Sequence, residues 1–456
     1  MTTQISADSL HRLVKHAIDS GTAASVEEAK ALFQGYRLAV EIDPAAAADP
    51  VQQAALLTTV ALSHRVFLGG VSVSGSLATP LSLAMPLGRT LADAVVALGG
   101  APGAMPDGTP TIVIGGPARE RRKGFCIRTA TAGWRGGILP IHSDLCPTGG
   151  CAMPLAGMLA AGLAVNEAFL HVSGGSSAVG RRPVGLSLWR PGSDVDWLQS
   201  DESEPTLTYL PSHLWLIGLG HLGQAYLWGL GLLPYQDPSA VKLVLQDVDV
   251  ITESTISTSI LTDAKMVGQK KTRVMASWAE QRGFTTSLQE RLFAADFKRQ
   301  PDEPAVALCG LDNAAGRRAL DQVGFDLTVE AGLGRGYRDF RTMRLHVLPS
   351  RRPTAEIWKN NGKIESVENR PAYAKLLADG VLDRCGMTLL AGKAIGAPFV
   401  GCVAATLALS EVLRVLHGGV LNQLIDIDLT GVDHRSAVRH TADFTRLNPG
   451  FALSRL

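Results

Sequence analysis

The chain has 456 residues, with 43 basic against 42 acidic side chains for a net charge of +1, 46% hydrophobic and 5% aromatic residues, and 48 glycines. That mixture excludes disorder, collagen and coiled coil, and the balanced charge carries neither a nucleic-acid footprint nor a polybasic membrane signal. At roughly 150 residues per domain the length suggests two or three domains with full cores. The six cysteines, Cys126, Cys146, Cys151, Cys309, Cys385 and Cys402, are too sparse for a disulfide framework and include no Cys-x-x-Cys pair. They argue against a thiolate zinc site and for a reducing, cytoplasmic setting.

The start, MTTQISADSLHRLVKHAIDS, has no apolar signal region and reads as an amphipathic helix. The first fifty residues read as helical throughout, with Ser25 and Glu28 in a capping-box pattern and Gly35 as a stop. A turn at 44–50 leads to a helix through LLTTVALSH. VFLGGVSVSG and TIVIGG then read as strands, with the helix LADAVVALGG between them. Two more strands, GFCIRTA and GILPI, precede a small-residue helix, PLAGMLAAGLAVNEAFL. Its apolar run, 153–165, is interrupted by Asn166 and Glu167 after about thirteen residues, short of a membrane span. The polar stretch 173–211, with one strand (VGLSLW) inside it, reads as a linker.

From Ser212 onward strands and helices alternate more clearly. HLWLIG, KLVLQDVDV, AVALCGLDN and DLTVEAGLG are strands, while GLGHLGQAYLWGLG and KTRVMASWAEQRG run into helices. Such alternation predicts a mostly parallel sheet with helices on both faces. There is also an internal echo. PLAGMLAAGLAVNEA (154–168) aligns without a gap on PFVGCVAATLALSEV (398–412), at an offset of 244, and Pro, Gly, Ala, Ala, Leu, Ala and Glu coincide. Composition alone would not place the shared proline and glutamate, so the echo favours duplication.

Gly218, Gly220 and Gly223 form G-x-G-x-x-G between a strand and a helix, where backbone and helix N–H groups can meet a phosphate. Asp247, 24 residues past Gly223 at the end of the next strand, is placed to bind ribose hydroxyls. These features alone suit any nucleotide or dinucleotide.

The region 210–430 resembles the ThiF/MoeB/ubiquitin-activating-enzyme superfamily through an ordered series of motifs. Asp247 and Asp249 match its Asp-x-Asp, Ser254 its serine, Val267 and Gly268 its lead to Lys271, and Asp312, Asn313 and Arg317 its Asp-Asn-x-x-x-Arg. The segment from Arg384 to Gly419 resembles the family's crossover and following helix, with Cys385 at the thioester-forming position. The resemblance implies a Rossmann-like adenylation fold, ATP and Mg²⁺ as cofactors, and activation of the C-terminal carboxylate of a ubiquitin-like or sulfur-carrier-like protein. It implies Lys271 near the phosphates, Asp312 on Mg²⁺, Asp247 on the ribose, Arg317 steering phosphates or supporting Asp312, and Cys385 as acyl acceptor. Gly218, Gly220, His221, Gly223, Asp249 and Asn313 complete the nucleotide set. A conjugating-enzyme-like partner and an antiphage role follow from the same resemblance, and a homodimer is compatible with it.

The sequence departs from that pattern in places. The family's Asn and Arg fall on Thr255 and Thr258, Ser259 replaces Gln, and His221 replaces a further glycine. Either another part of the chain lends an arginine, the run RERRK (119–123) being one candidate donor, or the site binds nucleotide without catalysis. Cys385 follows Asp383 and Arg384 ahead of an apolar helix, a setting that favours a reactive cysteine. Cys309 and Cys402 sit in apolar runs and read as core.

The expected architecture is therefore a degenerate, inactive α/β domain over 1–205 and a nucleotide-binding domain over 206–456. Two alternatives to an adenylating enzyme stay open: a non-catalytic nucleotide-binding scaffold, and an NAD-dependent oxidoreductase.

Overall fold

The computed structural model, which describes residues 6–359 and 367–455, builds one sheet from each half of the chain. The first half contains helices α1 (Val14–Asp19) and α2 (Val26–Gln34), strand β1 (Leu38–Ile42), α3 (Pro50–Ser63), β2 (Val71–Gly75), α4 (Leu91–Ala97), β3 (Ala101–Pro102), β4 (Thr111–Ile114), β5 (Cys126–Ala132), β6 (Arg135–Pro140), α5 (Pro154–Val172) and β7 (Val184–Ser187). After the short β8 (Tyr209–Pro211), the second half contains β9 (His213–Ile217), α6 (His221–Leu232), β10 (Lys242–Gln246), α7 (Glu253–Ile256), α8 (Lys271–Gln281), β11 (Thr285–Gln289), β12 (Val306–Cys309), α9 (Ala314–Arg318), β13 (Leu327–Leu333) and β14 (Thr342–Leu348). Helices α10 (Thr354–Ile357), α11 (Pro371–Ala378), α12 (Arg384–Gly392) and α13 (Pro398–Leu416) lead to β15 (Asn422–Asp428), β16 (Ser436–Arg439) and β17 (Phe451–Leu453).

The two sheets share one plan. The first has strand order β3-β2-β1-β4-β5-β6-β7 and the second β11-β10-β9-β12-β13-β14-β15-β16. In both, the first five strands are parallel and the rest antiparallel. The α/β class with a mostly parallel sheet holds, and the echo marks equivalent helices, α5 and α13. These cross at the centre, where Cys402 Sγ lies 3.7 Å from the carbonyl of Met158, its own equivalent at the offset of 244. Contact between equivalent residues is what a pseudo-two-fold axis produces.

The conserved letters of the echo have physical roles. Proline opens both helices, where its missing N–H leaves no orphan donor. Gly157 lets α5 press on the α3 backbone at Val51, and Gly401 receives the His221 ring of α6. Glu167 accepts from Gly180 N at 2.9 Å, and Glu411 accepts from Asn422 N at 2.9 Å, so each glutamate pins the chain ahead of the next strand. Both helices are long and apolar enough to cross a membrane by length and composition, yet most of each is buried within the protein. Asn166 and Glu167 therefore lie inside a 19-residue core helix rather than ending an apolar run.

Two expectations need correction. The first fifty residues are not helical throughout: β1 occupies 38–42, its Leu38, Val40 and Ile42 fully buried between β2 and β4. Its pairing partners lie some 30 to 70 residues away, so local pattern alone could not reveal it. The stretch 173–211 is not a free linker either. Beyond β7, Arg135 donates to the carbonyls of Trp197 at 3.3 Å and Gln199 at 2.5 Å, and pairs with Glu204 at 2.9 Å. Trp134 Nε1 donates to the Pro205 carbonyl at 2.8 Å, so the segment is strapped to β6. At the start, Ser25 caps α2 by accepting from Glu28 N, while the Glu28 carboxylate turns to Ala24 N rather than to Ser25. The helix read at the start is seen at 14–19, and residues 1–5 lie outside the described ones.

Candidate functional site

The site forms where the strand order reverses, between β9 and β12, at their carboxyl ends. β9 ends at Ile217, and Gly218 just beyond it, with a φ of +82°, turns the chain toward α6. A Cβ at Gly223 would collide with the Gly218 carbonyl, so that glycine serves helix–strand packing. A Cβ at Gly220 would meet nothing, which leaves the helix start open. Leu219 N donates to Asp247 Oδ2 at 2.7 Å and Asp249 N to Asp247 Oδ1 at 2.8 Å, joining the glycine loop to the end of β10. Lys271, the first residue of α8, pairs with Asp249 at 2.8 Å and lies 3.8 Å from Asp247.

Across the crevice, β12 leads through Gly310 to Asp312, which is exposed, and Asn313, which caps α9 by accepting from Gly316 N at 2.7 Å. The helix cap is thus Asn313, and the Asp312 carboxylate is left for other use. Arg317 donates from Nε to the Leu311 carbonyl at 3.0 Å and pairs with the buried Glu330 at 2.8 Å, which also meets His346 at 3.2 Å. That arrangement places Arg317 behind the 311–312 backbone as a support.

Gly218, Gly220, Asp247, Asp249, Lys271, Gly310, Asp312, Asn313 and Arg317 all border one cavity of about 840 Å³, which Gly223 does not reach. Phe293 and Leu311 contribute apolar surface to it, and Gly334, Gly336, Gly392 and Gly396 are among its small lining residues. Seven cationic and five acidic side chains border it, a balance suited to a polyanion. His221 borders it too, but its ring packs on Gly401, 3.5 Å from the Pro398 carbonyl, and burial lowers it to about 4, so it is neutral near pH 7.

The cavity also holds a residue that the sequence reading missed. Arg12, ahead of α1, donates from Nε to the Ala394 carbonyl at 2.6 Å, and its backbone N–H donates to Ser257 Oγ at 3.0 Å. Burial lowers its guanidinium from the ordinary value, partly offset by the attraction of Asp312. Thr258, where the resemblance expects arginine, lies beside Arg12: a Cβ on Gly396 would sit 2.7 Å from the Thr258 methyl and 3.6 Å from Arg12 Cβ. The loop 119–123 is elsewhere. Arg119 pairs with Glu41 and Asp43 at 3.1 and 2.9 Å, and Arg122 with Glu41 at 2.6 Å, in the first half. The signal that could have found Arg12 is the missing charge at 258, since a polyphosphate site short of one cation calls for another.

Cys385 lies in the first turn of α12, exposed and capped by Asp383, and it does not border the cavity. The far end of that helix, Gly392, does. Seven residues at 1.5 Å each separate the thiol from the cavity edge by roughly 10 Å. Cys309 and Cys402 are buried, the former pushed up to about 12 by burial. Cys126 is buried as well, while Cys146 and Cys151 are exposed.

Comparison with known proteins places the chain. A BilD N-terminal domain model matches residues 37–188 and a BilD C-terminal domain model matches 210–419. The bacterial E1-like protein BilD of Collimonas sp. (strain OK412) is 45% identical over 423 residues, covering 92% of this chain and 91% of the relative. Among solved structures, Escherichia coli MccB aligns over 51% of this chain and 63% of its own, at 15% identity and a TM-score of 0.35. Its complex with ATP aligns at 16% identity and a TM-score of 0.33. The chain thus spans somewhat less than two thirds of the MccB chains it matches. With both halves matched and one relative similar almost end to end, the chain belongs to the BilD family.

Proposed function

We propose that the chain is an E1-like adenylating enzyme that uses ATP to activate the C-terminal carboxylate of a ubiquitin-like protein. One observation carries this reading: a single cavity brings together the glycine loop at Gly218 and Gly220, the acid Asp247, Lys271 and Asp312 with Gly334, Gly336, Gly392 and Gly396. The E1-like description of its Collimonas relative supports it. In this reading the base lies along Phe293 and Leu311, the ribose on Asp247, and the phosphates at Gly220 and Lys271. A carboxylate oxygen of the tail attacks the α-phosphorus, the bond to the β-phosphate breaks, and pyrophosphate leaves an acyl-adenylate.

Asp312 fits Mg²⁺, a cation that takes one or two carboxylates together with phosphate oxygens and water rather than a full protein cage. Bound there, it would neutralise charge on the phosphates. Arg12 supplies a further cation from the first half in place of the absent arginine at 258, and Arg317 fixes the Asp312 backbone. Cys385 then takes the acyl group: its sulfur bonds to the acyl carbon, AMP leaves, and the thiol proton passes to solvent. A conjugating-enzyme-like protein would receive it next. The first half, read as 1–205, holds no nucleotide of its own in this scheme. At its corresponding sheet edge Asp43, bridged by Arg119, lies against Gly116.

ATP–pyrophosphate exchange that depends on the acceptor protein and is lost in Asp312→Ala is the expected result. No exchange with the proper acceptor would refute the reading. A thioester that survives Cys385→Ala would remove only the cysteine's role. Thr258 motivates a second reading, a nucleotide-binding scaffold without catalysis, which predicts ATP binding with no AMP formed.

A further inference from the structure

The polypeptide between α7 and α8 brings Thr258 and Ser259 into the cavity wall. Two side chains from outside fix its course. Gln224, wholly buried in the first turn of α6, accepts from Leu261 N at 3.0 Å and from the Thr262 hydroxyl at 2.8 Å, and donates to the Leu219 carbonyl at 3.2 Å. Arg65, just beyond α3 in the first half, donates from Nε to the Ile256 and Ser259 carbonyls at 3.1 Å each. Its Nη2 reaches the Thr262 carbonyl at 2.8 Å and its Nη1 the Ala61 carbonyl at 2.6 Å. Asp263 acts on this guanidinium only at a distance, and burial lowers it to about 10. A buried arginine without a paired acid is costly in free energy. Three of its four bonds hold this one segment.

Ser259 is 1% exposed and borders the cavity, and its hydroxyl has no hydrogen-bond partner among the described residues. A buried, unpartnered hydroxyl is unfavourable unless a ligand satisfies it. This one belongs to a segment tied through Gln224 to the helix start at Gly220, and its neighbour Thr258 lies beside Arg12.

We propose that Ser259 Oγ donates a hydrogen bond to a β- or γ-phosphate oxygen of the nucleotide, and that Arg65 is the positioning residue that presents it. The inference rests on the nucleotide site described above and deepens it. It gives the first half a second task beside Arg12: gripping the loop where the sequence departs from the superfamily pattern.

Calorimetric titration of the full chain with Mg²⁺ and a non-hydrolysable ATP analogue, and separately with AMP, tests it. Ser259→Ala should weaken the analogue about tenfold or more, the worth of one hydrogen bond to a charged oxygen, and leave AMP within about twofold. Arg65→Met should weaken the analogue at least as much and again spare AMP. Adding Ser259→Ala to it should bring no further loss, because the two act through one contact. An unaltered affinity in Ser259→Ala, or an equal loss for analogue and AMP, would overturn the phosphate contact. Additive losses in the double variant would overturn the role of Arg65, and Arg65→Lys serves in the cycle if the methionine variant does not fold. A wild-type chain that binds neither ligand sinks the nucleotide site itself. Wild-type binding with an unaltered Ser259→Ala sinks this contact alone.

Discussion

Replacing Arg12 by alanine removes the cation that, among the described residues, the first half places at the cavity. A unit charge about 5 Å from a phosphate oxygen, at an effective dielectric near 20, is worth about 3 kcal/mol. Lost from the transition state alone, that is roughly two orders of magnitude in rate. Folding should change much less. The variant loses the Nε bond to the Ala394 carbonyl, a charged hydrogen bond of about 2 kcal/mol, but also the cost of holding a guanidinium out of water. The unfolding temperature is therefore expected to stay within a few degrees of wild type. The assay is ATP–pyrophosphate exchange at saturating acceptor protein, with ATP affinity measured separately. A large fall in exchange with a small change in ATP affinity matches a charge that acts on departing pyrophosphate. Exchange within threefold of wild type would refute the reasoning. Arg12→Lys separates charge from geometry: it keeps the cation but has no Nε to bond Ala394, so it should recover only part of the rate.

Three other outcomes follow from the packing. Thr258→Arg, which restores the superfamily residue, should destabilise by about 1–3 kcal/mol and raise exchange by nothing, because Gly396 sits on the Thr258 methyl and Arg12 already fills the neighbouring space; chemical denaturation read beside exchange checks both. Glu411→Ala should cost about 3–5 kcal/mol, since it strands the buried Arg414 and frees Asn422, whereas Glu167→Ala should cost less, its Arg182 lying at 3.9 Å and partly exposed. Burial lowers His11, His16 and His221 to about 4 each, so between pH 6.5 and 4 the folded chain binds fewer protons than the unfolded one. Stability must then fall as pH falls through that window, by up to about 2 kcal/mol per histidine after allowing for partial exposure. Once corrected for the slower intrinsic exchange at low pH, the hydrogen-exchange protection of residues 8–19 should fall at pH 5 before that of the sheets, and unchanged protection there would count against it.

The sequence was most legible where function and local structure need the same residue. Gly218 must take a positive φ and Gly223 must clear the Gly218 carbonyl, so the glycine turn, β9 and α6 were readable together. The echo was readable because Pro154 and Pro398 start helices, and Glu167 and Glu411 pin the next strand, at fixed spacing. What escaped depends on distant partners. β1 is five residues long and owes its form to β2 and β4, and β14, β15 and β16 are antiparallel additions that owe theirs to β13 and to one another. Arg12 and Arg65 escaped for the same reason. Each is one arginine near a helix end, and its meaning appears only when Ala394, or Ile256 and Thr262, are brought beside it from the other half.

That shared dependence bears on why two halves are kept. The first half's leading residues and the end of α3 lie against the second half's crevice. In the proposed scheme the nucleotide sits in that crevice, so the first half serves the site through what crosses over. Four of the groups that cross, Arg12, Asp8, Lys15 and Arg65, converge on the same place. Asp8 pairs with Lys393 at 3.0 Å and accepts from Ser254 N at 2.8 Å through its carbonyl, and Lys15 donates to the Ala391 carbonyl at 3.1 Å. Every one of those contacts falls on 254–262 or 391–394, the two segments that flank the Thr258–Gly396 contact. In the proposed scheme Arg12 then does from the chain lying across 258 what the superfamily arginine would do from 258 itself. A chain carrying Thr258→Arg and Arg12→Ala together should therefore be worse than either single variant, because position 258 has no room and position 12 has lost its charge. Recovery of exchange in that double variant would show instead that the two positions are interchangeable.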